Sequence, residues 1–167
     1  MNRSDLEGAL KARRPAGPIL GLGVAGLMFL GVMAAAMRTS AHPQSPGADA
    51  FYKVCNDCHE GDRISETRRT RSAWEDIIVQ MIDKGAVGSN QDFTLVLNYL
   101  LSHHGMVNLN QAEADEIALV TGLPAKEAEA IVAYRKANGN FKNYDAVVKV
   151  PNVDVKKLEE KRAALLF

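Results

Sequence analysis

Apolar positions along the 167-residue chain fall into three regimes. From Pro15 to Met37 they run 23 positions without a charged residue, and at the rise of a helix this stretch would extend roughly 34 Å, enough to cross a bilayer. Between Ala48 and His103 they recur at helical spacing instead. Phe51, Val54 and Cys55 share one side of a short helix over Ala48–Cys58, and Trp74, Ile77, Ile78, Met81 and Ile82 share a face of a second, opened by a Ser72/Glu75 capping box. Phe93, Val96, Leu97, Leu100 and Leu101 point inward from a third, over Asp92–His103. The third regime, 107–167, repeats itself. Gly122-Leu123-Pro124-Ala125-Lys126 returns in pattern thirty positions later as Asn152-Val153-Asp154-Val155-Lys156. Each copy reads as helix, tight turn, helix, with Asn110 and Glu113 capping the first helix, Pro124 in the first turn of the next and Asn138-Gly139 ending it.

The pattern predicts an all-α chain in four parts. Residues 1–38 form a cytoplasmic stub with a transmembrane anchor or signal helix, and 39–47 a linker, where His42, Pro43, Gln44, Ser45 and Pro46 break the helix. Residues 48–106 and 107–167 form two small helical units. Charge refines this picture: the chain is neutral overall, but residues 1–38 carry five Lys/Arg against two acids, a balance of +3 that leaves −3 for the rest. Arg13 and Arg14 precede the apolar run, which orients it with the N-terminus inside and everything beyond Arg38 outside the cytoplasm. Its length favours an uncleaved membrane anchor; the small residues Ala34, Ala36, Ser40 and Ala41 suit a cleaved signal peptide. A hydrophobic content of 47% excludes a disordered tail.

The candidate chemistry sits in Cys55-Asn56-Asp57-Cys58-His59. This Cys-x-x-Cys-His spacing is the signature of covalent haem attachment, in which two thiols add to the porphyrin vinyls and the adjacent imidazole binds iron. A zinc site would need further ligands, and a thioredoxin-type pair would need a βαβ frame that the pattern lacks. The two cysteines are the only ones, so no disulfide framework staples the chain.

Over about residues 48–105 the chain resembles the class I cytochrome c family, through this motif and through the Tyr99-Leu100 pair on the last helix. The resemblance implies one covalent haem c on Cys55 and Cys58, His59 as proximal iron ligand, and first and last helices that cross at the haem edge. It also calls for a sixth ligand. Met81 is the first candidate, ahead of Met106, His103 and His104. Arg63, Arg68, Arg69 and Arg71 read as a solvated surface run, or else as a docking patch or partners for the haem propionates.

Residues 107–167 resemble the tandem helix-hairpin-helix domain of competence-type DNA receptors, through Val107-Asn108-Leu109-Asn110, the stretch Ala130 to Arg135 and the Asn140-Phe141 link. A DNA-binding hairpin offers backbone N–H groups to a phosphate in front of a helix N-terminus. Here Pro124 has no N–H, Asp154 places a carboxylate in the second turn, and nine basic residues face nine acidic ones. The expectation is therefore a protein-docking module, with DNA not expected as a partner. Taken together, the sequence predicts a membrane-anchored or periplasmic monohaem cytochrome c, held to the membrane through its N-terminal helix. It would carry single electrons between an exported dehydrogenase and a terminal acceptor through redox protein partners, and would catalyse no reaction itself. A DNA-binding receptor exported from the cytoplasm, with a structural or redox-sensing haem, is the alternative; the haem subunit of a larger oxidoreductase complex is a third.

Overall fold

A computed structural model describes residues 45–56, Cys58 and 67–167. The apolar run Pro15–Met37, His59 and Arg63 lie outside the described residues, as does most of the linker. Among the described residues no helix is long and apolar enough to cross a membrane.

Helix α1, Pro46–Cys55, starts where the Ser45 hydroxyl accepts the Ala48 N–H at 3.1 Å and Pro46 presets the first turn. It buries Ala50, Phe51 and Val54 against α3, Asn90–His104. The crossing is close: a side chain at Gly47 would meet Tyr99 Cβ at 3.3 Å and the Leu95 carbonyl at 3.4 Å. Helix α3 opens with a capping box in which the Ser89 hydroxyl accepts the Asp92 N–H at 3.1 Å and the Asp92 carboxylate accepts the Ser89 N–H at 2.9 Å. Between them α2, Arg71–Asp83, packs Trp74 and Ile78 into the same core. The capping box expected at Ser72/Glu75 is absent. Helix α2 begins two residues earlier, behind Thr70, the Ser72 hydroxyl meets that of Thr70 at 3.2 Å, and Glu75 is buried beside Arg71.

Three short strands, which the helical reading did not contain, cross the middle of the molecule. In a parallel sheet of order β1-β2-β3, β1 (Arg69–Thr70) pairs with the first half of β2 (Gly105–Asn108) in the register Arg69↔Gly105 and Thr70↔Met106. The second half of β2 pairs with β3 (Leu165–Leu166) as Val107↔Leu165 and Asn108↔Leu166. The 106/107 division drawn from the sequence falls inside β2, and one cluster of buried side chains runs from Ala50 to Leu165.

Beyond β2 come α4 (Ala114–Thr121), α5 (Ala125–Asn138), α6 (Tyr144–Val147) and α7 (Val155–Glu160). Gly139, at φ +84°, ends α5 as its glycine predicts. Asn110 does not cap α4, whose N-cap is Glu113 without a side-chain bond. Its amide instead reaches across the repeat, accepting the Phe141 N–H at 2.7 Å and donating to the Phe141 carbonyl at 2.9 Å. Arg135 donates to the Leu109 carbonyl at 2.6 Å from α5, and Tyr134 stacks on Phe141 with ring centroids 5.8 Å apart.

Candidate nucleic-acid interface and apolar pocket

The two turns of the repeat have the same backbone logic. Helix α4 ends at Gly122, whose φ of +73° a side chain rarely adopts, and Asn152 holds φ +60° thirty positions later. It is the one non-glycine residue with positive φ among the described residues, and asparagine is among the side chains that tolerate it best. Each turn then drops an apolar side chain inward: Leu123 is buried, and Val153 packs at the edge of the core. In the first turn the Thr121 hydroxyl donates to the Ile117 carbonyl at 2.5 Å and accepts the Leu123 N–H at 3.2 Å, holding the loop to its helix.

The helix starts behind the turns differ. The first bonds into α5 are those of the Glu127 and Ala128 N–H groups to the Pro124 carbonyl, so the N–H groups of Ala125 and Lys126 stand ahead of the ladder, at the positive end of a 14-residue helix with no side-chain cap. At α7 the Asp154 carboxylate accepts the N–H groups of Lys156 and Lys157 at 3.0 and 3.2 Å, capping the helix as an aspartate there should.

Two bonds that the sequence did not signal join the hairpins. The Glu127 carboxylate on α5 accepts the Asp154 N–H at 2.7 Å, and Lys157 on α7 donates to the Gly122 carbonyl at 3.2 Å. Residues 127 and 157 are also thirty apart, so each helix start is tied to the opposite turn and the hairpins form one reciprocal pair. Their spacing within the repeat is visible in the sequence; that their side chains reach across is not. Lys126 and Lys156 occupy equivalent exposed positions on this pair.

The second feature is an apolar pocket of about 420 Å³ in the N-terminal half, within the range usual for small-molecule and cofactor sites. Cys55 and Cys58 line it together with Met81, and Trp74, Ile78 and Phe93 supply part of its walls. Arg69 and Lys84 are the charged residues of its lining. Cys55 is half-buried and burial pushes its thiol up to about 11, whereas Cys58 is exposed.

The other sixth-ligand candidates lie elsewhere. Met106 lines a separate, polar cleft of about 310 Å³ with Arg71, Glu75 and Glu116. His103 is exposed and stacks on Tyr99 with centroids 4.3 Å apart, and His104 is held below its ordinary value by burial, with His103 and Arg68 adding to the effect. Among the described residues no group of three or more His, Cys, Asp or Glu side chains is placed to hold a metal ion. The described arginines form no uniform patch. Arg68 is exposed, Arg69 lies over the Trp74 ring at 5.8 Å, and Arg71 is engaged with Glu116 at 2.7 Å.

Residues 102–165 match the helix-hairpin-helix motif family. The chain is 42% identical over 62 residues to an uncharacterized protein of Haemophilus influenzae, an alignment covering 36% of this chain and 55% of that protein. It is 33% identical over 60 residues to ComE operon protein 1 of Bacillus subtilis, covering 36% of this chain and 29% of that protein. The chain thus spans about half the length of the first relative and under a third of the second. No solved structure matches it.

The molecule is mostly helical and carries a helix-hairpin-helix domain. This match overturns two expectations drawn from the sequence: that DNA is not a partner, and that the chain is an electron carrier between redox proteins through a cytochrome, with its iron, as the defining unit. The physical error lay in the summed charge. A neutral total conceals Lys126 and Lys156 at equivalent exposed sites, and the Asp154 charge is engaged with two backbone N–H groups. The missing N–H of Pro124 is followed by those of Ala125 and Lys126, which the helix itself does not use. The transmembrane helix expected at Pro15–Met37 finds no counterpart among the described residues.

Proposed function

We propose that this is a DNA-binding protein acting outside the cytoplasm, with its paired hairpins gripping the sugar-phosphate backbone and its N-terminal half holding one covalent haem. The observation that carries the DNA reading is the reciprocal hairpin pair, in which Glu127 and Lys157 hold two turns of one repeat together and leave Lys126 and Lys156 exposed. Backbone N–H groups at the start of α5 suit a phosphate oxygen, and lysines beside them add attraction without reading sequence. The chemistry is binding rather than reaction. The similarity to ComE operon protein 1, and to competence-type DNA receptors in the residues quoted above, supports a role in handling incoming DNA at the cell envelope.

The haem reading is supported by the lining of the pocket. Two cysteines in haem-attachment spacing, a thioether and apolar walls meet in one cavity, and Arg69 and Lys84 supply cations suited to propionates. Cys55 and Cys58 would hold the macrocycle, and His59 and Met81 would be the ligands offered to its iron. Bound there, the haem supplies an iron centre, structural or redox-sensing in role. The protein would fix the macrocycle with two thioether bonds and exclude water from its faces with Trp74, Ile78 and Phe93.

Both halves are tested on one preparation of the full chain, made in a host that attaches c-type haem. Haem should stay with the polypeptide on a denaturing gel, and Lys126→Ala/Lys156→Ala should weaken duplex binding roughly uniformly across sequences, reducing the salt slope by about 2. Unchanged DNA affinity in the double variant would sink the hairpin assignment; haem lost to acid-acetone extraction would sink the pocket assignment.

A further inference from the structure

The pocket and the hairpins are built on shared elements, with no linker between them: α3 ends at His104 and β2 starts at Gly105. Arg69 lines the pocket, places its guanidinium over Trp74 and pairs through its backbone with Gly105 on β2. Trp74, another wall residue and 2% exposed, donates its indole N–H to the His104 carbonyl at 3.0 Å, at the junction of α3 and β2. At that junction Gly105 has no room for a side chain. A Cβ there would collide with the Leu101 carbonyl oxygen of α3 and lie 2.9 Å from Val120 Cγ2 of α4. A third tie leaves the start of α2, where Arg71 meets Glu116 on α4, the first helix of the hairpin domain, at 2.7 Å. Each tie joins the pocket wall, or the helix that bears it, to the strand or helix on which the hairpins stand.

We propose that haem occupancy of this pocket sets the DNA affinity of the hairpin domain, transmitted through the β1–β2 pairing, the Trp74–His104 bond and the Arg71–Glu116 ion pair; the inference rests on the functional reading above. An apolar cavity without an occupant leaves its lining short of contact partners. Its walls then lose the dispersion that would hold β1 and α2 in one position. A group that binds only the ordered arrangement stabilises it, and can shift DNA binding only as far as ordered and loosened arrangements differ in DNA affinity. Couplings of this kind ordinarily change affinity by about 5–150-fold. The pocket wall and α4 belong to one buried cluster, and in this proposal the haem-bound, ordered form is the tight-binding one.

The test compares the haem-loaded full chain with the same wild-type chain produced without haem attachment and with Cys55→Ala/Cys58→Ala. Duplex DNA is titrated at one fixed salt concentration, and circular dichroism checks that each form is folded. The loaded chain should bind at least about five-fold more tightly, and amide exchange in β2 and α4 should slow on loading. Arg71→Ala, with its haem spectrum intact, should bring the loaded-to-unloaded ratio toward one, a readout that a merely structural role for Arg71 would leave in place. Equal affinity of folded loaded and unloaded chains overturns the coupling while leaving the functional reading standing. A chain that binds no DNA in either form, or takes up no covalent haem, removes that reading and the coupling with it.

Discussion

Cys55 and Cys58 stand three positions apart in different surroundings, one half-buried in an apolar wall and the other at the surface. Thiolate is the reactive form, and with its thiol pushed up to about 11 Cys55 has only about a thousandth of its population ionised at pH 8. In the haem-free chain, iodoacetamide at pH 8 should label Cys58 first, and Cys55 labelling should climb steeply only as pH approaches 11; peptide mapping reads both rates. Equal labelling at pH 8 would contradict the burial of Cys55. Asp92 gives the acid-side counterpart. The Ser89 N–H, the Ser89 hydroxyl and Lys53 hold its carboxyl down to about 2. Since the folded value lies below the unfolded one of roughly 3.9, its contribution is fully present above that value and is lost as pH falls toward 2. Asp92→Asn should flatten the pH dependence of the thermal midpoint between about pH 4 and 2 and nowhere else. The Asp154 cap was legible from residue type alone, as a short-range bond to N–H groups two and three positions on. The Asp92–Lys53 contact was not, since its partners are 39 positions apart.

At the scale of elements, apolar spacing located helices α1 to α3 and the two-fold repeat, because each helix buries one face at a period near 3.6. It missed the sheet for an equally physical reason. Strands of two and four residues are too short to show alternation, and their pairing is set by tertiary context. Capping was read well at Gly139, and poorly at Ser72/Glu75, where the helix starts earlier, and at Asn110, where a better partner lay across the fold. That amide satisfies both backbone groups of Phe141, so Asn110→Ala should destabilise the molecule by about 1–3 kcal/mol in urea unfolding through unpaired, part-buried groups. Gly105→Ala should cost more than Asn110→Ala, because backbone rather than a flexible side chain stands in the way of its methyl. A Gly105→Ala chain with wild-type stability would mean that β2 does not run in the confined path between α3 and α4.

For the whole molecule, the sequence conveyed two helical units and obscured how they join. A single buried cluster and a strand shared across the division make the cysteine-bearing half and the hairpin half one body, which no local pattern announces. Summed charge misled most at this scale, since affinity for a phosphate backbone depends on where lysines stand and not on the balance over 61 residues. The central claim is that the paired hairpins bind DNA through its backbone. Its most direct measurement is the affinity of the full chain for a duplex, by fluorescence anisotropy, across about 50 to 200 mM salt. With a few phosphates contacted, log affinity should fall linearly against log salt with a slope of about −2 to −4, little changed between unrelated duplex sequences. Affinity indifferent to salt, or weaker than about 10⁻⁴ M at the low-salt end, would contradict the account.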